Sequence, residues 1–163
     1  MIEMLLLKGA YPNLGDKRDG STPLHYASTK GFKEVVRMLL EAGATPNMTL
    51  TNFTHETPLH QASRHGHDDV GQTLLSHKKT DPDAENVYGE TPLHVASHKG
   101  HKGVVQVLLD GGACPTIENT DGENPMYRAA RAGHKEVFKV LLDFMTRPPR
   151  SGASRRKRKR PCS

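Results

Sequence analysis

Tryptophan is absent from the sequence, and the other aromatic residues bring the aromatic share of its 163 positions to only 5%. Hydrophobic residues of all kinds make up 34%. A large globular core depends on bulky side chains, so this composition does not favour one. A thin, layered architecture fits better, because stacked layers bury small aliphatic side chains between them.

Long apolar runs and cysteines are also scarce. No run reaches the roughly 18 residues that a membrane span requires, and the first residues, MIEMLLLKGA, lack the basic lead and the length of a secretory signal. The two cysteines, Cys114 and Cys162, form neither a disulfide framework nor a four-ligand zinc set. We therefore expect a soluble, intracellular chain in a reducing compartment, with no membrane partner.

Acidic residues are missing from positions 147–163, RPPRSGASRRKRKRPCS, which hold eight of the 23 basic residues. The formal net charge of +5 therefore describes this C-terminal tail. Positions 1–146 retain 15 basic and 18 acidic residues, a net charge of −3. The high isoelectric point accordingly says little about the rest of the chain.

The tail is interrupted by proline, then small and polar, and then strongly basic, a composition that cannot bury a core. We therefore predict that 147–163 is a disordered basic tail. Its adjacent cations indicate a nuclear-import signal, which predicts an import receptor as a partner and a nuclear location. The alternatives are a solvated tail on a cytoplasmic protein and non-specific nucleic-acid binding through counterion release. The residues of the signal are Arg155, Arg156, Lys157, Arg158, Lys159 and Arg160.

A four-residue motif recurs along the chain. TPLH stands at 22–25, 57–60 and 91–94, and a degenerate NPMY follows at 124–127. Successive motifs are 35, 34 and 33 residues apart. A nearly constant period of this size indicates an array of stacked supersecondary units.

Each motif has the features of a helix start. The threonine of each TPLH motif supplies an N-cap oxygen, and in all four motifs the proline in second place lies where the missing N–H costs nothing. A glycine follows at 31, 66, 100 and 133, where a left-handed residue ends a helix. After each glycine comes a second segment, such as KEVVRMLLEAGA, with valine and paired leucines on one helical face. We therefore predict two antiparallel helices per unit, joined to the next unit by polar turns.

The Thr-Pro-Leu-His core, the alanine two positions later, the glycine and the period near 33 resemble the ankyrin repeat. The resemblance implies an all-α ankyrin-repeat solenoid, whose turns between units project as β-hairpin-like fingers. A half repeat at the start is consistent with a fragment or an alternative start of a longer protein. The array predicted over 1–146 consists of a half repeat at 1–15 and full repeats at about 16–48, 49–83, 84–116 and 117–146.

The segment TPLHQASRHGH at 57–67 contains three histidines. A zinc site needs ligands that converge from one face, typically three or four residues apart on a helix. His60 and His65 are five apart, and Gly66 ends the helix before His67. The resemblance implies instead that the histidine of each TPLH ties adjacent fingers through hydrogen bonds from its side chain to the backbone. We predict structural histidines, no metal, no cofactor and, without a nucleophile motif or a phosphate-binding glycine loop, no enzyme activity.

The resemblance also implies that a partner meets the concave face and the finger tips. The two inner-helix positions before each glycine are largely basic, which suggests a groove for an acidic segment of another protein. An ordinary solvated polar face is the alternative. At the finger tips an exposed tyrosine is a candidate hot spot, unless its ring folds back onto its own hairpin. The candidate partner-binding residues are Arg18, Lys30, Arg64, His65, Tyr88, His98, Lys99 and Arg131.

The second repeat departs from the pattern. His55 replaces the finger glycine, Gly71 interrupts the outer helix, and Lys78 occupies a slot filled by glycine elsewhere. A glycine within a helix costs about 1 kcal/mol, and a left-handed residue other than glycine roughly 1–2 kcal/mol. In a stack of nearest neighbours this repeat is the expected weak joint. We predict that Gly71→Val combined with Lys78→Gly raises the melting temperature.

These features predict a non-catalytic protein–protein interaction module that acts as a scaffold, an adaptor or an inhibitor in the nucleus. One alternative is a nucleic-acid-associated protein that binds through its tail. Another is a fragment of a larger ankyrin-containing protein. Fold alone does not choose among the roles of such arrays.

Overall fold

The computed structural model describes residues 11–50, 52 and 54–146, and this part of the chain contains eight α-helices and no β-strand. None of these helices is long and apolar enough to cross a membrane. The helices alternate between inner and outer positions in a repeating pair. They are α1 (Pro23–Lys30), α2 (Lys33–Glu41), α3 (Pro58–His65), α4 (Asp68–Ser76), α5 (Pro92–Lys99), α6 (Lys102–Asp110), α7 (Pro125–Arg131) and α8 (Lys135–Thr146).

The inner helices α1, α3, α5 and α7 begin as the motif predicts. In α3 the Thr57 hydroxyl accepts a hydrogen bond from the His60 amide at 3.4 Å, and Pro58 follows the cap directly. The degenerate fourth motif keeps the same chemistry, because the Asn124 side chain accepts from the Tyr127 amide at 2.9 Å. Three of these helices end at a glycine in the left-handed conformation, for which Gly66 with φ 75° is the example. Glycine adopts this conformation without the steric penalty of a Cβ atom.

The core is a thin sheet of aliphatic side chains between the inner and outer rows of helices. Each inner helix packs on the inner helix of the next repeat, and each outer helix does the same in its own row. Small residues such as Ala62 and Ala96 are fully buried and let the inner helices approach closely. The described residues therefore form an all-α repeat solenoid, which confirms the predicted fold class. Its central buried side chains include Leu24, Leu59, Leu93, Val36, Val70, Val104, Leu74, Leu108 and Leu141.

The end of the outer helix α4 differs from the prediction. Lys78 does not have a positive φ, and His55 is the only residue other than glycine that does among the described residues. The Thr80 hydroxyl donates to the Leu74 carbonyl at 2.5 Å, whereas in the neighbouring repeats a backbone amide bonds the equivalent carbonyl, as Ala44 does to Leu39 at 2.9 Å. The loop after α4 thus accommodates one more residue than its neighbours, and the threonine compensates for it. The expectation of strain at Lys78 was wrong.

His55, in contrast, does occupy the left-handed finger position, with φ 52°. Gly71 lies inside α4 and is buried, and a Cβ atom at this position would lie 3.7 Å from the nearest atom, a methyl carbon of Val107. That separation is an ordinary van der Waals contact. His55 therefore has the left-handed conformation, and Gly71 the position inside the outer helix, that the sequence predicts for them.

Candidate protein-binding surface

The histidines of the TPLH motifs link successive repeats. The Nε2 atoms of His25, His60 and His94 lie 3.2, 2.9 and 3.0 Å from the carbonyl oxygens of Glu56, Glu90 and Glu123, each in the finger of the following repeat. All three rings are almost completely buried. We call these three histidines the finger ladder. Their contacts agree with the role that the family resemblance implied.

The hydrogen bonds of the finger ladder define its protonation state. The amide of Thr57 donates to Nδ1 of His60 at 3.2 Å, so Nδ1 is an acceptor and the proton resides on Nε2, which donates to the Glu90 carbonyl. Burial lowers the pKa of His25, His60 and His94, because the charged form loses its hydration. A second proton on Nδ1 would also face the N–H group of the threonine amide and break its hydrogen bond to the ring. The ladder is therefore stable as neutral imidazoles.

A second set of histidines, here called the turn ladder, follows the inner-helix glycines. The Nε2 atoms of His67, His101 and His134 lie 3.0, 3.1 and 2.9 Å from the carbonyl oxygens of Thr29, Arg64 and His98. Each ring lies over the glycine of the preceding repeat, and a Cβ atom on Gly31 would come within 2.7 Å of the His67 ring. No cluster of possible metal ligands occurs among the described residues. His60 and His67 thus belong to two separate structural ladders.

Carboxylates stand directly before the N-caps of the inner helices α3, α5 and α7. Glu56 is almost fully buried, and it pairs with Arg64 and accepts a hydrogen bond from Gln61 at 2.7 Å. The Thr29 hydroxyl in turn donates to the Gln61 side-chain oxygen at 3.3 Å, which connects the first two repeats. The positive charge of Arg64 is therefore engaged within the protein, although about a third of its side chain is exposed.

The third and fourth repeats share a larger network. Arg128 lies between two carboxylates, 2.5 Å from Glu90 and 3.2 Å from Glu123, and Glu123 also pairs with Arg131 at 2.5 Å. Burial raises the pKa of Glu123, but hydrogen bonds from Arg131 and Arg128 outweigh it, so the pKa is lowered overall. Arg131 remains two-thirds exposed despite this pairing. We call these pairs, with Glu56–Arg64, the carboxylate–arginine network.

Four of the predicted residues remain unpaired at the ends of the inner helices. Lys30, His65, His98 and Lys99 are exposed and form no ion pair with any described residue. Because the helices stack side by side, these side chains follow the same edge of the concave face in the first three repeats. We call them the basic rim. Of the predicted basic stripe, Lys30 and Lys99 of the rim project free charge, whereas Arg64 and Arg131 belong to the network.

The fingers are joined to one another by backbone hydrogen bonds. The Val87 amide donates to the Thr54 carbonyl at 3.2 Å, and the Thr120 amide donates to the Tyr88 carbonyl at 3.0 Å. The Tyr88 side chain is 52% exposed, so part of its ring is available for contact. Arg18 is highly exposed on the first finger, 3.5 Å from Asp16. Both remain predictions as partner-binding residues, and the import signal at 155–160 lies outside the described residues.

The network glutamates were missed from the sequence, although a signal for them exists. A glutamate stands directly before the helix cap at 56, 90 and 123, with the same period as the motif. Arg128 was not predicted, because it stands directly after the motif at a position that tyrosine, glutamine and valine fill in the other repeats. A search for charged residues at the repeat period finds the carboxylates. It does not connect Glu90 with Arg128, because these two residues are 38 positions apart.

A family model described as ankyrin repeats (3 copies) matches residues 1–86 and 78–149 of the chain. Among similar proteins, the E3 ubiquitin-protein ligase XBAT33 of Arabidopsis thaliana is 49% identical over 55 residues, 34% of this chain and 10% of the ligase. Rabankyrin-5 of Mus musculus is 42% identical over 62 residues, 38% of this chain and 5% of that protein. The human transient receptor potential cation channel subfamily A member 1 is 41% identical over 70 residues, 43% of this chain and 6% of the channel. The chain thus spans a tenth or less of the length of these relatives.

Proposed function

The chain belongs to the ankyrin-repeat family, whose repeats are non-catalytic protein-interaction modules, and we propose that this array binds an acidic, extended segment of a partner protein. The observation that carries the proposal is the basic rim. Lys30, His65, His98 and Lys99 are exposed along one edge and are unpaired among the described residues. A scaffold, an adaptor and an inhibitor all use such a surface, so we propose the binding of an acidic segment and do not assign one of these roles.

The carboxylate–arginine network supports this choice of surface. Its glutamates are satisfied by arginines from within the chain, so the base of the concave face presents little free charge of either sign. The free positive charge lies at the rim, next to that neutral base. A complementary acidic segment along the rim gains in association rate and selectivity more than in affinity.

The finger tips supply the apolar part of the proposed contact. Tyr88 and Val87 are both about half exposed on the third finger. A tyrosine contributes a large contact area at a small cost in conformational entropy, which makes it a common hot spot. We propose that a partner segment contacts Tyr88 with an apolar side chain while its acidic residues contact the rim. Arg18 is exposed on the first finger, where it also pairs with Asp16 at 3.5 Å, and we propose it as a further contact at that end.

A matched pair of charge reversals tests the proposal. One variant carries Lys30→Glu and Lys99→Glu on the rim, and its control carries Lys78→Glu and Lys139→Glu at exposed positions outside the inner helices. Both change the net charge by the same amount. We expect binding of a labelled peptide of alternating glutamate and glycine, measured by fluorescence anisotropy, to weaken about tenfold more in the rim variant. Equal weakening in both variants, or no binding by the unaltered protein, refutes the proposal.

We also propose that Arg155–Arg160 directs nuclear import. Six consecutive basic residues support this assignment, since such clusters are the usual form of an import signal. The test is the location of a fluorescent fusion of the full chain with these six residues changed to serine. Retention in the nucleus refutes the assignment. A salt-dependent nucleic-acid gel shift that the same variant loses would favour the alternative, binding of nucleic acid through the tail.

Ubiquitin ligase activity is not proposed for this chain. The similarity to the ligase of Arabidopsis thaliana covers a tenth of that protein and falls within the repeats of this one. The repeats supply a binding surface, and nothing in their ladders or network provides a nucleophile activated for catalysis.

A further inference from the structure

Two of the four basic-rim residues are histidines in different repeats. His65 is the last residue of α3, and its ring is stacked on that of His67 with 6.2 Å between ring centroids. His98 is the penultimate residue of α5, one position before Lys99. Both side chains are exposed, and neither takes part in the finger ladder or the turn ladder through its ring. Their imidazoles are therefore free to change charge without breaking a hydrogen bond that joins repeats.

The surroundings of these histidines are mostly positive. His65 faces Lys30 from α1, Arg64 from its own helix, and the turn-ladder rings of His67 and His101, which cap α4 and α6. His98 is influenced by Lys99, by Arg128 from α7, by His134 at the start of α8, and by the single carboxylate of Glu90. Desolvation, followed by these neighbouring cations, lowers the pKa of both histidines. Near neutral pH both rings are therefore uncharged.

We propose that the basic rim is a pH-dependent binding surface, which holds an acidic partner segment more tightly after His65 and His98 take up protons. The inference rests on the proposed function and adds its regulation. A carboxylate-rich segment brings negative charge close to both rings and favours their protonated form. By linkage, the same coupling makes binding stronger as the pH falls.

The direction of the pH effect on binding, and the pH range in which it occurs, depend on the pKa of His65 and His98 in the protein without peptide. A pKa below the ordinary value of about 6.5 means that the rim gains charge below that pH, while glutamate and aspartate of the partner stay ionised above about 5. Binding is therefore expected to tighten about five- to tenfold as the pH falls from about 6.5 toward about 5, from two additional exposed charges. The finger ladder opposes acidification. Its rings are buried and bonded at both nitrogens, so they protonate at the cost of folding.

The experiment compares the unaltered full chain with His65→Asn combined with His98→Asn. The probe is the labelled glutamate–glycine peptide, with the dissociation constant measured by anisotropy at several pH values. We expect the variant to match the unaltered protein near pH 7.5 and to lose the increase in affinity at lower pH. His77→Asn serves as the matched control, because His77 follows the outer helix α4 and lies at the opposite end of the helix pair from His65.

A second readout follows the imidazoles directly. In NMR titrations we expect saturating peptide to raise the pKa of His65 and His98 and to leave the position of the His77 ring signals unchanged. Unchanged pKa values with bound peptide, or an affinity that does not depend on pH, overturn the inference and leave the proposed function intact. Absence of peptide binding at every pH overturns both. A thermal melt at each pH separates loss of folding from loss of binding.

Discussion

Replacing His60 with leucine removes the middle member of the finger ladder and keeps a side chain of similar volume. The change leaves the Thr57 amide without its ring partner, 3.2 Å away in the unaltered protein, and the Glu90 carbonyl loses the ring at 2.9 Å but keeps the Asn86 amide at 3.0 Å. His60 is fully buried, so water cannot replace either contact. A buried backbone group without a partner costs about 1–3 kcal/mol. One orphaned amide and one lost hydrogen bond together should lower the free energy of unfolding by about 2–4 kcal/mol, a large share of the total for a domain of this size.

The matched control is His134→Leu in the turn ladder. His134 donates to the carbonyl of His98 at 2.9 Å in an exposed setting, where water can take its place. We expect this change to cost under about 1 kcal/mol. Urea denaturation followed by circular dichroism measures both variants at neutral pH. Losses within about 1 kcal/mol of each other would refute the view that the buried ladder holds the repeats together.

Acid provides an independent check on the same ladder. The folded-state pKa of His25, His60 and His94 lies below the ordinary value of about 6.5, so their contribution is fully present above that pH. It is lost as the pH falls below 6.5 toward the folded-state pKa, because the unfolded chain binds protons first. Each buried ring contributes up to about 1.4 kcal/mol per pH unit in that window. His60→Leu should reduce the slope of unfolding free energy against pH by the contribution of one ring. An unchanged slope would show that other groups control acid unfolding.

Three further changes test other parts of the array. His55→Gly should raise the unfolding free energy by about 1 kcal/mol in urea denaturation, because it relieves a left-handed residue with φ 52°. Gly71→Ala should raise the unfolding free energy by about 1 kcal/mol through helix propensity. Adding Lys78→Gly should give no further gain. A further gain would mean that Lys78 is strained after all. Arg128→Met should lower the unfolding free energy by about 2–4 kcal/mol, since Glu90 loses its only ion pair among the described residues, and this loss should shrink as the pH falls through the lowered pKa of Glu123.

The sequence contained enough information for the fold and for the nature of the histidines. Helix starts and ends depend on a few neighbouring residues, so TPLH followed by glycine predicts each inner helix wherever it recurs. The period near 33 then requires identical units to stack, because no single unit buries its own apolar face. The spacing of His60, His65 and His67 argued against a metal site for the same local reason.

Only the tertiary structure decided which charges are free. Glu90 and Arg128 are 38 residues apart and meet because stacking places one finger against a helix of the next repeat. Thr80 replaces a backbone donor through a loop one residue longer than its neighbours, which removed the strain expected at Lys78. Pairing within their own repeats assigned Arg64 to Glu56 and Arg131 to Glu123, and left Lys30, His65, His98 and Lys99 exposed. Local pattern specifies the repeating unit, whereas the charge of its surface depends on which side chains meet after folding, both within a unit and between units.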